Sequence, residues 1–188
     1  MAVRHARQRL ASPSRSLSAI IHLAGILSFS ASFGYLTVNP GPMPDSYGGQ
    51  FKFLTIIGLA ASLLTFLTGF LADLTGSARL FAIKNRLSVG TAPLEVLVSI
   101  LYWGLTAVDK TLVMPPEVAL PFLPDFGFHA MPAIMLTIDL LLLSPPWTIR
   151  AYPAMALSLS IAFFYWIWIE WCFSKNGWCV MPALRMTK

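Results

Sequence analysis

Apolar residues along the chain fall into long continuous runs and not into short alternating segments. A helix that crosses a bilayer needs about 20 mostly apolar residues, and five stretches approach that length: 17–37, 53–73, 91–108, 126–144 and 152–173. Strands of a membrane β-barrel would alternate apolar and polar residues over about ten positions, which these runs do not do. Because backbone groups in hydrocarbon must pair within their own segment, we expect five membrane-spanning helices.

The predicted architecture is therefore an all-α, polytopic helical bundle in a membrane. We expect a basic tail at 1–16, one transmembrane domain at 17–182 and a short C-terminal tail at 183–188. The first tail is rich in Arg and Ser and has no acidic residue, which is also typical of a mitochondrial transit peptide. A full-length apolar run follows at once, so we interpret the tail as the flank of a membrane anchor. This favours the endomembrane system (endoplasmic reticulum or plasma membrane) over a mitochondrial membrane.

Composition supports this class and excludes several others. Hydrophobic residues make up 56% of the 188 residues and charged residues only 11%, against roughly 25% charged in soluble domains. The net charge is +5, but the basic residues lie beside the apolar runs and form no basic face, so nucleic acid is not an expected partner. Two cysteines are too few for a disulfide scaffold or a multi-cysteine metal site. The expected partner is the lipid bilayer.

Lysine and arginine predict the orientation of the chain, because cytoplasmic loops carry an excess of both. One side collects the tail and the loops after the second and fourth spans, with Arg4, Arg7, Arg9, Arg15, Arg79, Lys84, Arg86 and Arg150. The other side has fewer, namely Lys52, Lys110, Lys175, Arg185 and Lys188. We therefore expect a cytoplasmic N-terminus.

Ionisable groups inside a bilayer are expensive and are functional candidates. Six fall within or beside the spans: His22, Asp73, Glu95, His129, Asp139 and Glu170. Thr55 and Asp73 begin and end the second span, about 27 Å apart along a helix, so they cannot share a catalytic site. The predicted topology instead gathers one group in the outer leaflet, comprising Lys52, Thr55, Tyr102, Trp103, Asp109, Lys110, His129, Glu170 and Trp178.

A hydroxyl, a histidine and carboxylates at one depth can form a nucleophile, a base and an orienting group. Ordinary roles compete with this interpretation. Threonine in a membrane helix usually bonds its own backbone or a neighbouring helix, and Lys52 fits a snorkelling anchor. Tyr102 and Trp103 are typical of interfacial aromatic belts, and His22 of a packed or helix-bridging histidine. His129 has no His or Cys partner at metal-ligand spacing, so we expect no metal and no organic cofactor.

The order of motifs resembles that of a known family. Residues 47–55, YGGQFKFLT, resemble the YGGxWKFLT motif of the androgen-induced and androgen-dependent transmembrane protein family. The members of that family are intramembrane threonine hydrolases that cleave fatty acid esters of hydroxy fatty acids. Weaker likenesses follow in the same order: Leu71–Leu74 to TDL, Leu87-Ser88 to the loop before the third span, Tyr102–Lys110 to WxxxxYDRE, Phe128–Met131 to NHxMH, and Gly177–Pro182 to GxWVYP.

Two features depart from the family pattern. The family motif NHxMH has two histidines, of which the later one is understood to be catalytic. His129 matches the earlier histidine, and Pro132 occupies the position of the later one. Positions three apart share a helix face, so His129 could take over that role. Members also usually have a further apolar span after the last one found here, and the sequence up to Lys188 contains none.

The resemblance implies a lipid-ester hydrolase with a membrane lipid as substrate. Thr55 would be the nucleophile and His129 its base, and Lys52 or the backbone amides of Gly48 and Gly49 would stabilise the oxyanion. Asp109, Asp125 and Glu170 are three alternatives for the group that orients the histidine.

Two other functions remain open at this point. One is a non-catalytic scaffold or lipid-binding regulator of the same family, which Pro132 favours. The other is a small transporter that uses His22, Glu95 and Asp139 as a polar path at different depths; the absence of two matching Gly/Pro-broken spans is against it.

Overall fold

A computed structural model describes residues 5–40, 46–113, 120–146 and 151–177 of the chain. The described part is helical and contains no strand, as predicted. Its α-helices are α1 (Leu17–Val38), α2 (Leu54–Thr75), α3 (Ala78–Val108), α4 (Phe122–His129), α5 (Met131–Ile138) and α6 (Ala151–Asn176). Four of these helices are long and apolar enough to cross a membrane, and a fifth span results if α4, α5 and the π-helical turn after α5 count together.

The connection between α2 and α3 is a tight turn. Gly76 ends α2 in the left-handed conformation, with φ 68°, and Ser77 caps α3 by accepting a hydrogen bond from the Leu80 amide. Arg79, Lys84 and Arg86 were expected in a loop, which is wrong, since all three lie in α3. The predicted third span, 91–108, is the later part of this longer helix.

The fourth predicted span is broken in the middle. α4 ends at His129, α5 begins at Met131, and the two segments are bent by 43°. Pro132 explains the break, because its ring has no N–H and clashes with the carbonyl four residues earlier, on Phe128. Pro132, which the motif resemblance matches to a histidine, thus accounts for the end of α4 directly after His129.

A π-helical turn, Asp139–Leu143, follows α5 and is covered by the N-terminal tail. Such a turn leaves backbone carbonyls without partners in its own helix. The tail supplies the donors: the Leu10 amide bonds Leu142 O at 2.9 Å, and Gln8 Nε2 bonds Leu143 O at 2.8 Å. Within the predicted basic tail and the start of α1, residues 8–18 pack against this end of the bundle.

Helices α1, α2 and α3 form the centre of the bundle, with α2 packed between the other two. The buried core contains Phe29, Ile56, Leu59, Phe66, Ala92, Phe128, Met135 and Leu136. Glycine allows close approach of α1 and α2, because a Cβ on Gly25 would lie 2.2 Å from the Phe66 ring. Helix α6 packs on α3 and on residues 47–52, where Trp168 Nε1 donates to Phe51 O.

The bundle has two ends, which we name by the glycine that each carries. The Gly76 end contains the α2–α3 turn, the start of α1, the π-helical turn and the tail. The Gly48 end contains the 3₁₀ turn Gly49–Lys52, the start of α2, the end of α3 and the start of α4. Several residues used in the sequence argument lie outside the described residues: Arg4, Arg150, Trp178, Met181, Pro182, Arg185 and Lys188.

Candidate functional site

His129, Asp125 and Tyr102 form a compact buried group at the Gly48 end. His129 Nδ1 lies 2.8 Å from Asp125 Oδ1, one helical turn earlier on α4. Tyr102 of α3 donates its hydroxyl to the same carboxylate oxygen at 2.6 Å. Its ring stacks on the imidazole with a centroid distance of 3.4 Å and an interplanar angle of 4°. Two contacts from different helices therefore fix the position of the imidazole.

This arrangement also indicates which ring nitrogen of His129 carries the proton. Asp125 is an acceptor when ionised, so the Nδ1 nitrogen carries the proton that it donates. The second ring nitrogen, Nε2, is then the basic one. In nucleophilic hydrolases, a histidine that serves as general base is oriented by a carboxylate in a similar way.

Thr55 lies at the same end, in the first turn of α2, and its side chain is half-buried. Its neighbour Ile56 belongs to the same core cluster as Phe128, the neighbour of His129. Among the hydrogen bonds of the described residues, none joins the Thr55 hydroxyl to His129. The two groups therefore share one end of the bundle without direct contact in this structure.

Lys52 and Gly48 pack closely against each other in the turn that precedes Thr55 in the sequence. Lys52 is fully buried and donates to the Ser46 hydroxyl, so the snorkelling anchor expected from the sequence is wrong. Burial lowers the pKa of Lys52, and the nearby Cys172 thiol acts in the opposite direction. Gly48 has φ 85°, and a Cβ there would lie 2.7 Å from Cys172 Sγ. The amide of Gly49 donates to Ser46 O at 2.8 Å, so of the two glycine amides only that of Gly48 remains a candidate for the oxyanion.

The three alternatives for the orienting carboxylate are placed very differently. Asp125 bonds His129 directly. Asp109 is exposed and accepts hydrogen bonds from the amide and hydroxyl of Thr111, which lower its pKa. Glu170 lies on an exposed face of α6. Within the described residues, only Asp125 of these three contacts the histidine.

A second buried polar group lies at the Gly76 end. His22 of α1 bridges two carboxylates, with Nδ1 2.6 Å from Asp73 Oδ2 and Nε2 3.0 Å from Asp139 Oδ1. Lys84 Nζ binds both oxygens of Asp139, at 2.8 and 3.1 Å. All four side chains are fully buried. We call His22, Asp73, Lys84 and Asp139 the four-charge cluster.

Charges in the four-charge cluster balance when His22 is protonated. With both carboxylates ionised, each ring nitrogen faces an acceptor and must donate, which requires the imidazolium form. Two positive and two negative groups then cancel. The remaining carboxylate lone pairs accept from Ser18 and the Ser14 amide on Asp73, and from Ser88 and Ser144 on Asp139.

The sequence predicted the arrangement of this second group only in part. The prediction that His22 is a helix-bridging histidine is confirmed. The prediction that His22 and Asp139 lie at different depths is wrong, since the two side chains contact each other. Glu95 lies apart from them, beside Gly58 and 3.4 Å from the Ser62 hydroxyl. Among the described residues, no group of three or more His, Cys, Asp and Glu is placed to hold a metal ion.

Tyr102 and Lys84 are the polar residues whose roles the sequence missed. Tyr102 was expected in an interfacial aromatic belt and is instead buried, with its ring stacked on His129. Lys84 was expected in a loop and is instead fully buried against Asp139. Helical spacing could have indicated only the contact between Asp125 and His129, which are four residues apart and so share a helix face.

Comparison with known proteins identifies the family. The family model described as FAR-17a/AIG1-like protein matches residues 17–188. A UPF0641 membrane protein of Schizosaccharomyces pombe is 36% identical over 178 residues, which cover 93% of this chain and 80% of that protein. The chain belongs to the FAR-17a/AIG1-like family. The androgen-induced gene 1 protein of Homo sapiens is 26% identical over 185 residues, covering 88% of this chain and 76% of the human protein. No solved structure matches the chain significantly.

Family membership agrees with the resemblance seen in the motifs, and the chain is a membrane protein like its yeast relative. The matched region contains both buried polar groups. It begins at residue 17, so the tail that covers the Gly76 end precedes it.

Proposed function

We propose that this FAR-17a/AIG1-like protein hydrolyses a lipid ester within the membrane, with fatty acid esters of hydroxy fatty acids as the substrate class that the resemblance implies. The observation that carries the proposal is the orientation of His129 by Asp125 and Tyr102 at the end of the bundle that contains Thr55. Positioned imidazole–carboxylate pairs supply the general base that a weak hydroxyl nucleophile requires.

In the proposed reaction, Thr55 Oγ1 attacks the ester carbonyl while His129 Nε2 takes the hydroxyl proton. The tetrahedral intermediate then collapses, and the same nitrogen returns the proton to the departing hydroxy fatty acid. Water then attacks the remaining acyl-threonine ester while His129 removes a proton from the water. His129 returns this proton to Thr55 Oγ1 as the bond between Oγ1 and the acyl carbon breaks, which releases the fatty acid and restores Thr55. The oxyanion would be stabilised by the Gly48 amide or by the Lys52 ammonium.

In this proposal, the hydrogen bond between the Thr55 hydroxyl and His129 forms when the substrate binds. A general base must come within about 2.6–3.2 Å of the proton that it removes, and such bonds often tighten only when substrate binds. An acyl chain can enter sideways from the bilayer, since the exposed faces of α2 and α3 are apolar, as at Leu64, Leu97 and Leu101.

The basic residues also bear on the orientation of the bundle in the membrane. We infer that the Gly76 end faces the cytoplasm, because it carries the basic tail and the start of α3. The catalytic end then faces the lumen or the outside, in an endomembrane or plasma membrane.

The test uses purified protein in nanodiscs, with wild type, Thr55→Ala, His129→Ala and the control Thr68→Ala. Thr68 lies on the same helix and bonds its own backbone at Leu64 O, so it controls for loss of a helical threonine. We expect Thr55→Ala to abolish fluorophosphonate labelling and ester hydrolysis, and His129→Ala to lower hydrolysis by about 10²–10⁴-fold. Hydrolysis by a folded Thr55→Ala protein at the wild-type rate would refute the threonine mechanism.

A second candidate is a non-catalytic lipid-binding protein of the same fold. The observation that favours it is the lack of a hydrogen bond between Thr55 and His129 among the described residues. A folded wild type that binds the ester, shows no hydrolysis and takes no label would support this alternative.

A further inference from the structure

The surface of the Gly76 end is basic throughout its described residues. Five arginines are exposed there: Arg7, Arg9, Arg15, Arg79 and Arg86. The two carboxylates at that end, Asp73 and Asp139, are fully buried and paired within the four-charge cluster. Among the described residues, the exposed charge at this end is therefore of one sign, which concentrates anions near it.

A cavity of about 260 Å³ opens within this basic surface. It is lined by Arg7, Arg9, Leu140, Leu141, Ser144 and Pro146. Ligand pockets for drug-sized molecules begin at about 300 Å³, so this space suits a headgroup. One wall is cationic and comes from the tail, and the opposite wall is largely apolar and comes from the end of the broken span.

The tail holds both arginines in place over the cavity. Gln8, between them, is buried and bonds Leu143 O and Ser12 O, each at 2.8 Å. Leu10, directly after Arg9, donates its amide to Leu142 O at 2.9 Å. The residues on both sides of Arg9 are therefore anchored to the π-helical turn, Gln8 by its side chain and Leu10 by its amide, which reduces the ordering cost of binding a ligand.

The chemistry of the walls indicates the ligand. Guanidinium groups bind phosphate oxygens in a bidentate fashion, and Arg is preferred for this contact. Leu141 is 60% exposed and continues the apolar wall onto the outer surface of the bundle, where acyl chains would lie. We propose that this cavity binds the phosphate headgroup of an anionic phospholipid, with Arg7 and Arg9 on the phosphate and the Leu140–Leu141 wall against the start of the acyl chain.

A soluble phosphate would share the same contacts with the two arginines. It would lack the acyl chains, so it would gain nothing from the leucine wall. This site is separate from the hydrolase site at the Gly48 end, and its test does not depend on ester hydrolysis.

Native mass spectrometry of the detergent-solubilised full chain provides the test. Phosphatidic acid is titrated into wild type, Arg7→Gln/Arg9→Gln and the control Arg79→Gln/Arg86→Gln, which removes equal charge from the same end outside the cavity lining. We expect the first pair to weaken binding by about 100-fold or more, because each arginine loses a charged hydrogen bond to the phosphate. The control pair should stay within about threefold of wild type.

The following results would overturn the proposal. Equal losses in both pairs would mean diffuse attraction without a site, and no loss in either would exclude the arginines. Inorganic phosphate that displaces phosphatidic acid at equal concentration would make the ligand a soluble phosphate. Should Arg7→Gln/Arg9→Gln fail to fold by circular dichroism, Arg7→Lys/Arg9→Lys replaces it, and unchanged binding by that pair would exclude bidentate recognition.

Discussion

Replacing Lys84 by methionine tests the balance of charges in the four-charge cluster. Methionine keeps most of the length of the side chain but removes the ammonium group. Asp139 thereby loses donors at 2.8 and 3.1 Å, and Ser144 loses one at 3.0 Å. The cluster changes from neutral to a net charge of −1 at a site with no solvent exposure.

Breaking a buried ion pair by removing one partner costs about 3–5 kcal/mol of unfolding free energy. Asp139 keeps hydrogen bonds from His22 and Ser88, so we do not expect a larger loss. For chains of 150–250 residues, 1 kcal/mol lowers Tm by about 2–4 °C, which predicts a decrease of about 6–20 °C for Lys84→Met.

The assay is thermal unfolding in one detergent, followed by the circular dichroism of the helices. Arg86→Gln is the matched control, because Arg86 lies on the same helix and is exposed; it should change stability by less than about 0.5 kcal/mol. Lys84→Met/Asp139→Leu removes both charges and should recover at least half of the loss, since apolar replacements of a buried pair are often neutral.

Two results would refute this reasoning. A Tm for Lys84→Met within 2 °C of wild type would mean that Asp139 carries no charge in the native state. A double variant that is as unstable as Lys84→Met would mean that the loss comes from packing at residue 84 and not from an uncompensated carboxylate.

Two further substitutions test the packing of the helices and the histidine group. Gly25→Ala should destabilise the protein by about 1–3 kcal/mol in the same thermal assay, because the added Cβ overpacks against Phe66. Gly34→Ala on the same helix is the control and should be neutral or slightly stabilising, since no atom lies within 4 Å of its added Cβ. Tyr102→Phe keeps the ring but removes the hydroxyl bond to Asp125; it should cost about 1.5–3 kcal/mol and shift the pH–rate profile of ester hydrolysis, and an unchanged profile would exclude a positioning role for the hydroxyl.

The sequence by itself determined the class of the protein and the approximate limits of its helices. Long apolar runs require helices in a bilayer because backbone groups find no water to bond, and the motif around Thr55 indicated the family. Local rules also account for particular boundaries, such as Gly76 at the end of α2 and Pro132 at the break between α4 and α5.

Only the tertiary structure decided which polar groups meet. Asp125 and His129 share a helix, so their contact follows from spacing, but Tyr102 reaches them from α3. Lys84 and Asp139 are 55 residues apart in sequence, and neither position predicts its partner. The physical reason is that buried charges must be paired, and the choice of partner depends on how helices pack against each other, which no local pattern encodes.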